Sequence, residues 1–151
     1  MPAPDVVLTR RVAAPPARVW ELVGDPSRIG ELSPECYKVR WKGGATGPVP
    51  GAKFVGYNRK GPLRWTTTST IVTHDAERKI SWDVAVAGQK VARWGFRIAA
   101  DGDGSQVEQY WQDQRTPLAS LIGKARTTDS PGHNRRGMEQ TLDTLRAAAE
   151  G

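Results

Sequence analysis

The sequence predicts an α+β fold in which one antiparallel sheet packs against a long C-terminal helix. Two observations lead to this prediction. In residues 130–150 apolar side chains recur at three- and four-residue steps, which is the spacing of one helix face. Most of the preceding chain alternates apolar and polar residues, as strands with a single buried face do. Because an amphipathic helix buries its apolar stripe against another apolar surface, we expect the helix to lie on the covered face of the sheet.

The C-terminal helix has a recognisable start. Ser130 is a suitable N-cap residue, and Pro131 fits the first helical position. Its stripe of apolar and small residues consists of Asn134, Met138, Thr141, Leu142, Leu145 and Ala148 or Ala149.

The chain is expected to begin with a strand at residues 5–13, which alternates around Val6, Leu8 and Val12. Two consecutive prolines then open a short helix at residues 17–23. Asp25 and Pro26 open a second short helical segment at residues 25–32. Two short helices therefore separate the first strand from the others.

The middle of the chain predicts six further strands joined by turns, which gives a sheet of about seven strands. The β-branched threonines after Arg64 and the hairpin sequence Asp101-Gly102-Asp103-Gly104 are the strongest local signals. We place the strands at residues 37–42, 52–59, 64–73, 80–86, 94–98 and 107–113, followed by a short helix at 118–124.

Length and composition favour a single domain comprising residues 1–151. Six tryptophans accompany only two phenylalanines, which suits a wall that is partly apolar and partly wet. One cysteine, Cys36, excludes an internal disulfide and, with the polar N-terminal segment, favours the cytoplasm. No stretch has the length and apolarity of a membrane span. The net charge of +6 is dispersed along the chain, which favours a solvated surface over a nucleic-acid site.

The inward row of the middle and late strands is aromatic. If its members share one face, they form either an aromatic wall that contacts a flat or apolar ligand, or an ordinary core beneath the helix. Six tryptophans exceed what a dry core of this size needs, so we favour the wall. Its predicted members are Trp82, Trp94, Phe96 and Trp111, joined by Trp41 and Tyr57.

Several polar residues are candidates for the same site. Gln109 and Asp113 share the parity of Trp111, so both are expected to point inward. A carboxylate in a wet cavity is a candidate acid or base, which makes Asp113 a candidate. The alternative is that Asp113 lies at the strand end and simply meets solvent. Glu35 and His133 are candidates for positioning or moving protons, against the alternative that each is an ordinary surface charge. Asn134 and Met138, on the helix stripe, complete the predicted ligand-binding set.

Other chemistries have little support in the sequence. Two distant histidines and one cysteine lack the spacing of a zinc site, so we expect no metal. The segment Gly47-Pro48-Val49-Pro50-Gly51 lacks the end of a phosphate loop, and there is no dinucleotide fingerprint, so we expect no cofactor.

The order of elements and several motifs resemble the START/SRPBCC superfamily, in particular its polyketide cyclase/dehydrase-like branch. Each motif is weak alone, but together they span the chain in the right order. The resemblance implies a helix-grip fold with a deep cavity between sheet and helix for an apolar molecule, and no single chemistry. The motifs are Ala14-Pro15-Pro16-Ala17-Arg18-Val19-Trp20-Glu21-Leu22-Val23, Asp25-Pro26, Leu32-Ser33-Pro34-Glu35, Gly51-Ala52-Lys53-Phe54-Val55-Gly56-Tyr57-Asn58-Arg59, Arg64-Trp65, Asn134-Arg135-Arg136-Gly137-Met138 and Thr141-Leu142-Asp143-Thr144-Leu145-Arg146.

Three functions remain open at this point. The first is binding of an apolar or aromatic small molecule, lipid- or polyketide-like, by a monomer or homodimer. The second is an aromatase/cyclase that folds a poly-β-ketone and promotes aldol closure and dehydration, with Asp113, Glu35 or His133 moving protons. The third is a partner- or nucleic-acid-binding module on a basic outer sheet. The inward direction predicted for the tryptophans, away from Arg93 and Arg97, counts against the third.

Overall fold

The computed structural model of the protein describes residues 4–115 and 131–151. The predicted helix at 118–124 and the Ser130 cap lie outside these residues. A 3₁₀ helix, Pro26–Glu31, follows α1. The other elements are β1 (Val6–Val12), α1 (Pro16–Val23), β2 (Cys36–Lys42), β3 (Lys53–Lys60), β4 (Leu63–Asp75), β5 (Lys79–Val86), β6 (Gln89–Asp101), β7 (Gly104–Asp113) and α2 (Pro131–Glu150).

All seven strands belong to one antiparallel sheet with the order β1-β7-β6-β5-β4-β3-β2. Strands β2 to β7 are joined as consecutive hairpins, and β1 pairs with β7. The predicted α+β architecture is confirmed: a curved sheet of seven antiparallel strands, two short helices after the first strand, and a long C-terminal helix.

The stripe predicted on α2 is the face that the helix buries. Asn134, Met138, Thr141, Leu142, Leu145 and Ala149 are buried, whereas Arg135, Asp143 and Arg146 are exposed. The elements packed most closely on α2 are β1, β7 and α1. The helix therefore covers one side of the sheet, and space remains between it and the strands that curve away on the other side.

The two ends of the chain are tied together beside α1. The backbone N–H of Ala13 donates to Glu150 Oε2 at 2.8 Å, and the guanidinium of Arg18 donates to the carbonyl of Ala148 at 3.0 Å. These bonds anchor the C-terminal end of α2, while its other end lies at the cavity described below. Among the described residues, no helix is long and apolar enough to cross a membrane.

The convex face of the sheet carries paired charges. Arg93 donates two hydrogen bonds to the Asp83 carboxylate, at 2.7 and 3.0 Å, and Lys90 lies 3.3 Å from the same group. Desolvation opposes ionisation of Asp83, but the hydrogen bonds and charges of Arg93 and Lys90 outweigh it and lower the pKa of Asp83. The side-chain hydrogen bond to Asp83 likewise raises the pKa of Arg93, against the cost of its burial.

Candidate functional site

A cavity of about 1210 Å³ lies between the concave face of the sheet and α2. Its walls come from β2 to β7, from the segment after the 3₁₀ helix, and from the first half of α2. The buried part of this lining, which we call the inner wall, combines apolar and polar side chains. The side chains of the inner wall include Phe54, Trp82, Val84, Ala92, Gln109, Asn134, Met138 and Thr141.

Two of the predicted tryptophans line the cavity. Trp82 and Trp94 are direct neighbours across β5 and β6, so strand register places both indoles on the concave face. The ring of Phe54 meets that of Trp82 edge-on, with centroids 6.1 Å apart. Neighbouring hairpins thus supply one continuous aromatic surface.

Three predicted aromatics lie on the same face but behind or beside this surface. Phe96 and Trp111 are almost fully buried, with Phe96 against Trp82 and Trp111 against Trp94. Trp41 packs edge-on against Phe54. None of the three is part of the cavity lining, so they support the wall from within the core.

The prediction that Tyr57 contributes to the wall is wrong. Phe54 and Tyr57 are three residues apart on one strand, and alternation sends them to opposite faces. Phe54 takes the concave face, and the ring of Tyr57 lies under the amino group of Lys38, 5.4 Å from its centroid. Tyr57 is therefore part of the convex surface.

Gln109 contributes a polar atom to the inner wall. The residue is only 6% exposed, and its Oε1 has no hydrogen-bond partner among the described residues. The indole N–H of Trp111, two residues further along the same face of β7, also has no acceptor there. Because an unsatisfied buried polar atom costs about 1–3 kcal/mol, the Gln109 oxygen suits a guest that carries a hydrogen-bond donor, whereas Trp111 lies behind the lining.

The structure brings two of the three predicted acid–base residues together. His133, in the first turn of α2, lies with Nε2 3.1 Å from Glu35 Oε1, and both residues line the cavity. Glu35 comes from the segment that follows the 3₁₀ helix. A carboxylate that accepts from Nε2–H places the basic lone pair of a neutral imidazole on Nδ1. The pair is thus arranged as a histidine base with an orienting carboxylate.

Asp113, the third candidate, is placed differently. Its side chain accepts bonds from the backbone N–H and the guanidinium of Arg115, at 2.8–3.0 Å. Arg115 lines the cavity and Asp113 does not. The expectation that Asp113 faces the cavity as an acid or base is therefore not met, and its carboxylate instead holds Arg115 in the wall.

The exposed part of the cavity lining, which we call the mouth, combines apolar and cationic side chains. Leu63 and Val86 are 58% and 41% exposed. Four cations accompany them: Arg59, Lys60, Arg64 and Arg136.

Sequence reasoning missed these cations, together with Asn58, Trp65 and Cys36 in the lining. The alternation of β3 contained part of the signal, because Asn58 shares the parity of Phe54, and Trp65 pairs with Asn58 across the hairpin. Burial raises the pKa of the Cys36 thiol. Nothing in the sequence indicated that the tip of the β3–β4 hairpin and the first turns of α2 line the same cavity.

Comparisons with known proteins agree with this geometry. A family model described as "Polyketide cyclase / dehydrase and lipid transport" matches residues 3–150. No match was found among curated proteins.

Three solved structures illustrate the likeness. The Polyketide_cyc-like protein Cgl2372 from Corynebacterium glutamicum is 27% identical, with 99% of this chain and 91% of that chain covered and a TM-score of 0.58. Protein CV1439 from Chromobacterium violaceum is 14% identical, with 99% of both chains covered and a TM-score of 0.74. The di-domain ARO/CYC StfQ from the steffimycin biosynthetic pathway is 16% identical, with 96% of this chain and 50% of that chain covered and a TM-score of 0.72. The last two likenesses concern the fold alone.

Proposed function

The chain belongs to the polyketide cyclase, dehydrase and lipid transport family, and we propose that it binds an apolar or aromatic small molecule in the cavity between sheet and α2. The binding unit is one domain formed by residues 1–151, acting in the cytoplasm as a monomer or homodimer. The guest is lipid- or polyketide-like and lies against Trp82 and Trp94.

One observation carries this proposal: a large cavity, and not a close-packed core, lies between the sheet and α2, and apolar and aromatic side chains line it. Ligand pockets of proteins commonly measure about 300–1,000 Å³ and combine apolar walls with few polar groups. A volume of about 1210 Å³ suits an extended or polycyclic molecule. Gln109 supports the proposal, because a hydroxyl or N–H of the guest would satisfy its unpartnered Oε1.

The proposal is tested with Nile red, a flat and neutral apolar dye whose emission rises in an apolar environment. We expect saturable binding to the wild-type protein, and a weaker affinity for Trp94→Ala, because the indole supplies part of the contact surface. Trp20→Phe is the matched control. Trp20 packs against Gly24 and His74, outside the cavity lining, so its substitution is expected to leave dye affinity unchanged. Absence of saturable dye emission would contradict the proposal.

A second function, aldol cyclisation with loss of water, is favoured by the His133–Glu35 pair. In this scheme His133 removes a proton from a carbon next to a carbonyl group, and the resulting enolate attacks a distant carbonyl of the same chain. The new alkoxide takes a proton, and elimination of water gives the enone, so no external oxidant or reductant is needed. Glu35 orients the imidazole.

This second function predicts catalysis on a simple diketone. Wild-type protein is expected to accelerate conversion of 2,6-heptanedione to 3-methylcyclohex-2-enone and water, followed by the absorbance of the enone. His133→Ala should lose about 10²-fold or more of that acceleration, and Glu35→Gln a smaller part. Equal rates for wild type and His133→Ala would remove His133 from the mechanism, while dye binding would still report on the first function.

The nucleic-acid alternative loses its main support on the convex face. Arg93 and Arg97, the cations on which such a surface would depend, pair with Asp83 and Glu108. Cations that are already paired have less charge to offer a phosphate backbone. We therefore propose a small-molecule partner and no nucleic-acid partner.

A further inference from the structure

We propose that the guest carries an acidic group, a carboxylate or a phosphate, which the cations of the mouth bind while its apolar part lies against the inner wall. This inference rests on the proposed binding function and specifies the class of molecule.

The four cations of the mouth have no carboxylate partner among the described residues. Most described arginines pair with a carboxylate, including Arg11, Arg28 and Arg97. Within residues 4–115 and 131–151, no ion pair involves the four cations of the mouth. The carboxylate in the cavity lining, that of Glu35, pairs with His133 instead.

Two of these cations are held close together. Arg59 and Arg64 are directly opposite each other across the β3–β4 ladder, where like charges are destabilising. Both guanidinium groups also lie over the same ring, that of Tyr37, at 5.0 and 5.8 Å from its centroid. The hairpin thus concentrates positive charge at two residues that line the mouth, and an anion bound between them would relieve the repulsion.

The first turns of α2 add to the same field. Arg136, in the N-terminal half of α2, also lines the mouth. The N-terminal end of a helix carries a partial positive charge, which favours anions nearby. Arginine residues from two separate elements therefore line one opening, and guanidinium groups bind carboxylates and phosphates through paired hydrogen bonds.

The arrangement specifies where each end of the guest lies. Within the buried lining, Phe54, Val84 and Met138 offer an anionic group no hydrogen bond, and the Gln109 oxygen, an acceptor without a partner among the described residues, would repel it. A guest with an acidic end is therefore oriented with that end outward and its apolar body inward.

The test is displacement of bound Nile red by four molecules that share a twelve-carbon chain: laurate, dodecyl phosphate, dodecanol and dodecylammonium. All are used below their micellar concentrations. At low salt we expect at least one of the two acids to displace the dye at a concentration about tenfold or more below that of dodecanol, and dodecylammonium to be the weakest. Higher salt should reduce the advantage of the acid.

Two variants locate the effect. In the triple variant Arg59→Gln, Arg64→Gln, Arg136→Gln, the advantage of the acid over dodecanol should fall below about threefold, because glutamine removes the charge. The control is Arg40→Gln with Arg135→Gln, which removes two cations that have no carboxylate partner among the described residues and lie outside the cavity lining; it should retain the full advantage.

The outcomes separate this inference from the proposed function. Preference for laurate identifies a carboxylate and preference for dodecyl phosphate a phosphate, and either supports the inference. If dodecanol matches both acids, or the triple variant keeps the advantage, the inference is overturned while the cavity remains a binding site. If Nile red does not bind at all, the proposed function itself fails.

Discussion

Gly137 is a position where a single substitution should change both the stability of the protein and its affinity for a ligand. It lies in the interior of α2 and lines the cavity. Helices usually have a residue with a side chain at such interior positions. A Cβ added there would meet a single atom within contact range, Pro34 Cγ at 4.0 Å. The position is therefore open towards the cavity, and a side chain at residue 137 has room that a guest would otherwise use.

The expected magnitudes follow from this geometry. Glycine in a helix interior is about 1 kcal/mol less favourable than alanine, and no steric cost opposes the gain at Gly137. Gly137→Ala should therefore raise the free energy of unfolding by about 0.5–1 kcal/mol, which corresponds to a rise in Tm of roughly 1–4 °C. Gly137→Leu should keep most of that gain and project into the cavity, so that Nile red affinity falls about tenfold or more.

Urea denaturation and Nile red titration measure the two effects on the same samples. Gly132→Leu is the matched control: it makes the same change in the first turn of α2, outside the cavity lining, so dye affinity should not change. A Gly137→Leu protein less stable than wild type would refute the conclusion that the site is open. A more stable protein with unchanged dye affinity would show that the guest does not approach this part of α2.

Three further predictions concern other parts of the molecule. A Cβ at Gly95 would lie 2.4 Å from the Tyr110 ring, so Gly95→Ala should lower the free energy of unfolding, measured with urea, by about 1–3 kcal/mol. In a Tyr110→Ala background the same substitution should be nearly neutral. An equal loss in both backgrounds would contradict the packing argument. Asp83→Asn should cost about 1.5–3 kcal/mol near pH 7, since it breaks the charged hydrogen bonds to Arg93. The folded-state pKa of Asp83 is lowered, so its contribution to the free energy of unfolding is present above the unfolded pKa of about 3.9 and is lost as pH falls through the folded pKa. The difference in stability between wild type and Asp83→Asn should therefore shrink as pH falls through the folded pKa. A difference that stays constant with pH would argue against the ion pair. Burial raises the pKa of Cys36, so iodoacetamide should alkylate it more slowly at pH 8 than free cysteine, and equal rates would contradict the burial.

Local patterns in the sequence were sufficient for the fold. Alternation placed all seven strands within a few residues of their positions, and the stripe from Asn134 to Ala149 is the face that α2 buries. These patterns succeed because each strand or helix must bury one face whatever its neighbours are. The resemblance to the polyketide cyclase branch, carried by motifs along the whole chain, agrees with the family match to residues 3–150.

The site depended on information of another kind. Parity alone placed Trp82, Trp94 and Gln109 on the concave face, where the structure also has them. Parity could not show that Trp82 and Trp94 line the cavity whereas Phe96 and Trp111 lie behind the lining. That distinction depends on how far the sheet curves away from α2, a property of all the strands together.

Contacts between distant segments were decided by the tertiary structure alone. His133 contacts Glu35 across 98 positions of sequence, and Arg136 lines the same cavity as a hairpin tip that precedes it by about half the chain. The sequence by itself determined which residues form strands and helices and which of their faces are buried, because those choices depend on neighbours along the chain. Only packing determined which polar side chains share one opening, because the distances between them depend on where α2 crosses the sheet.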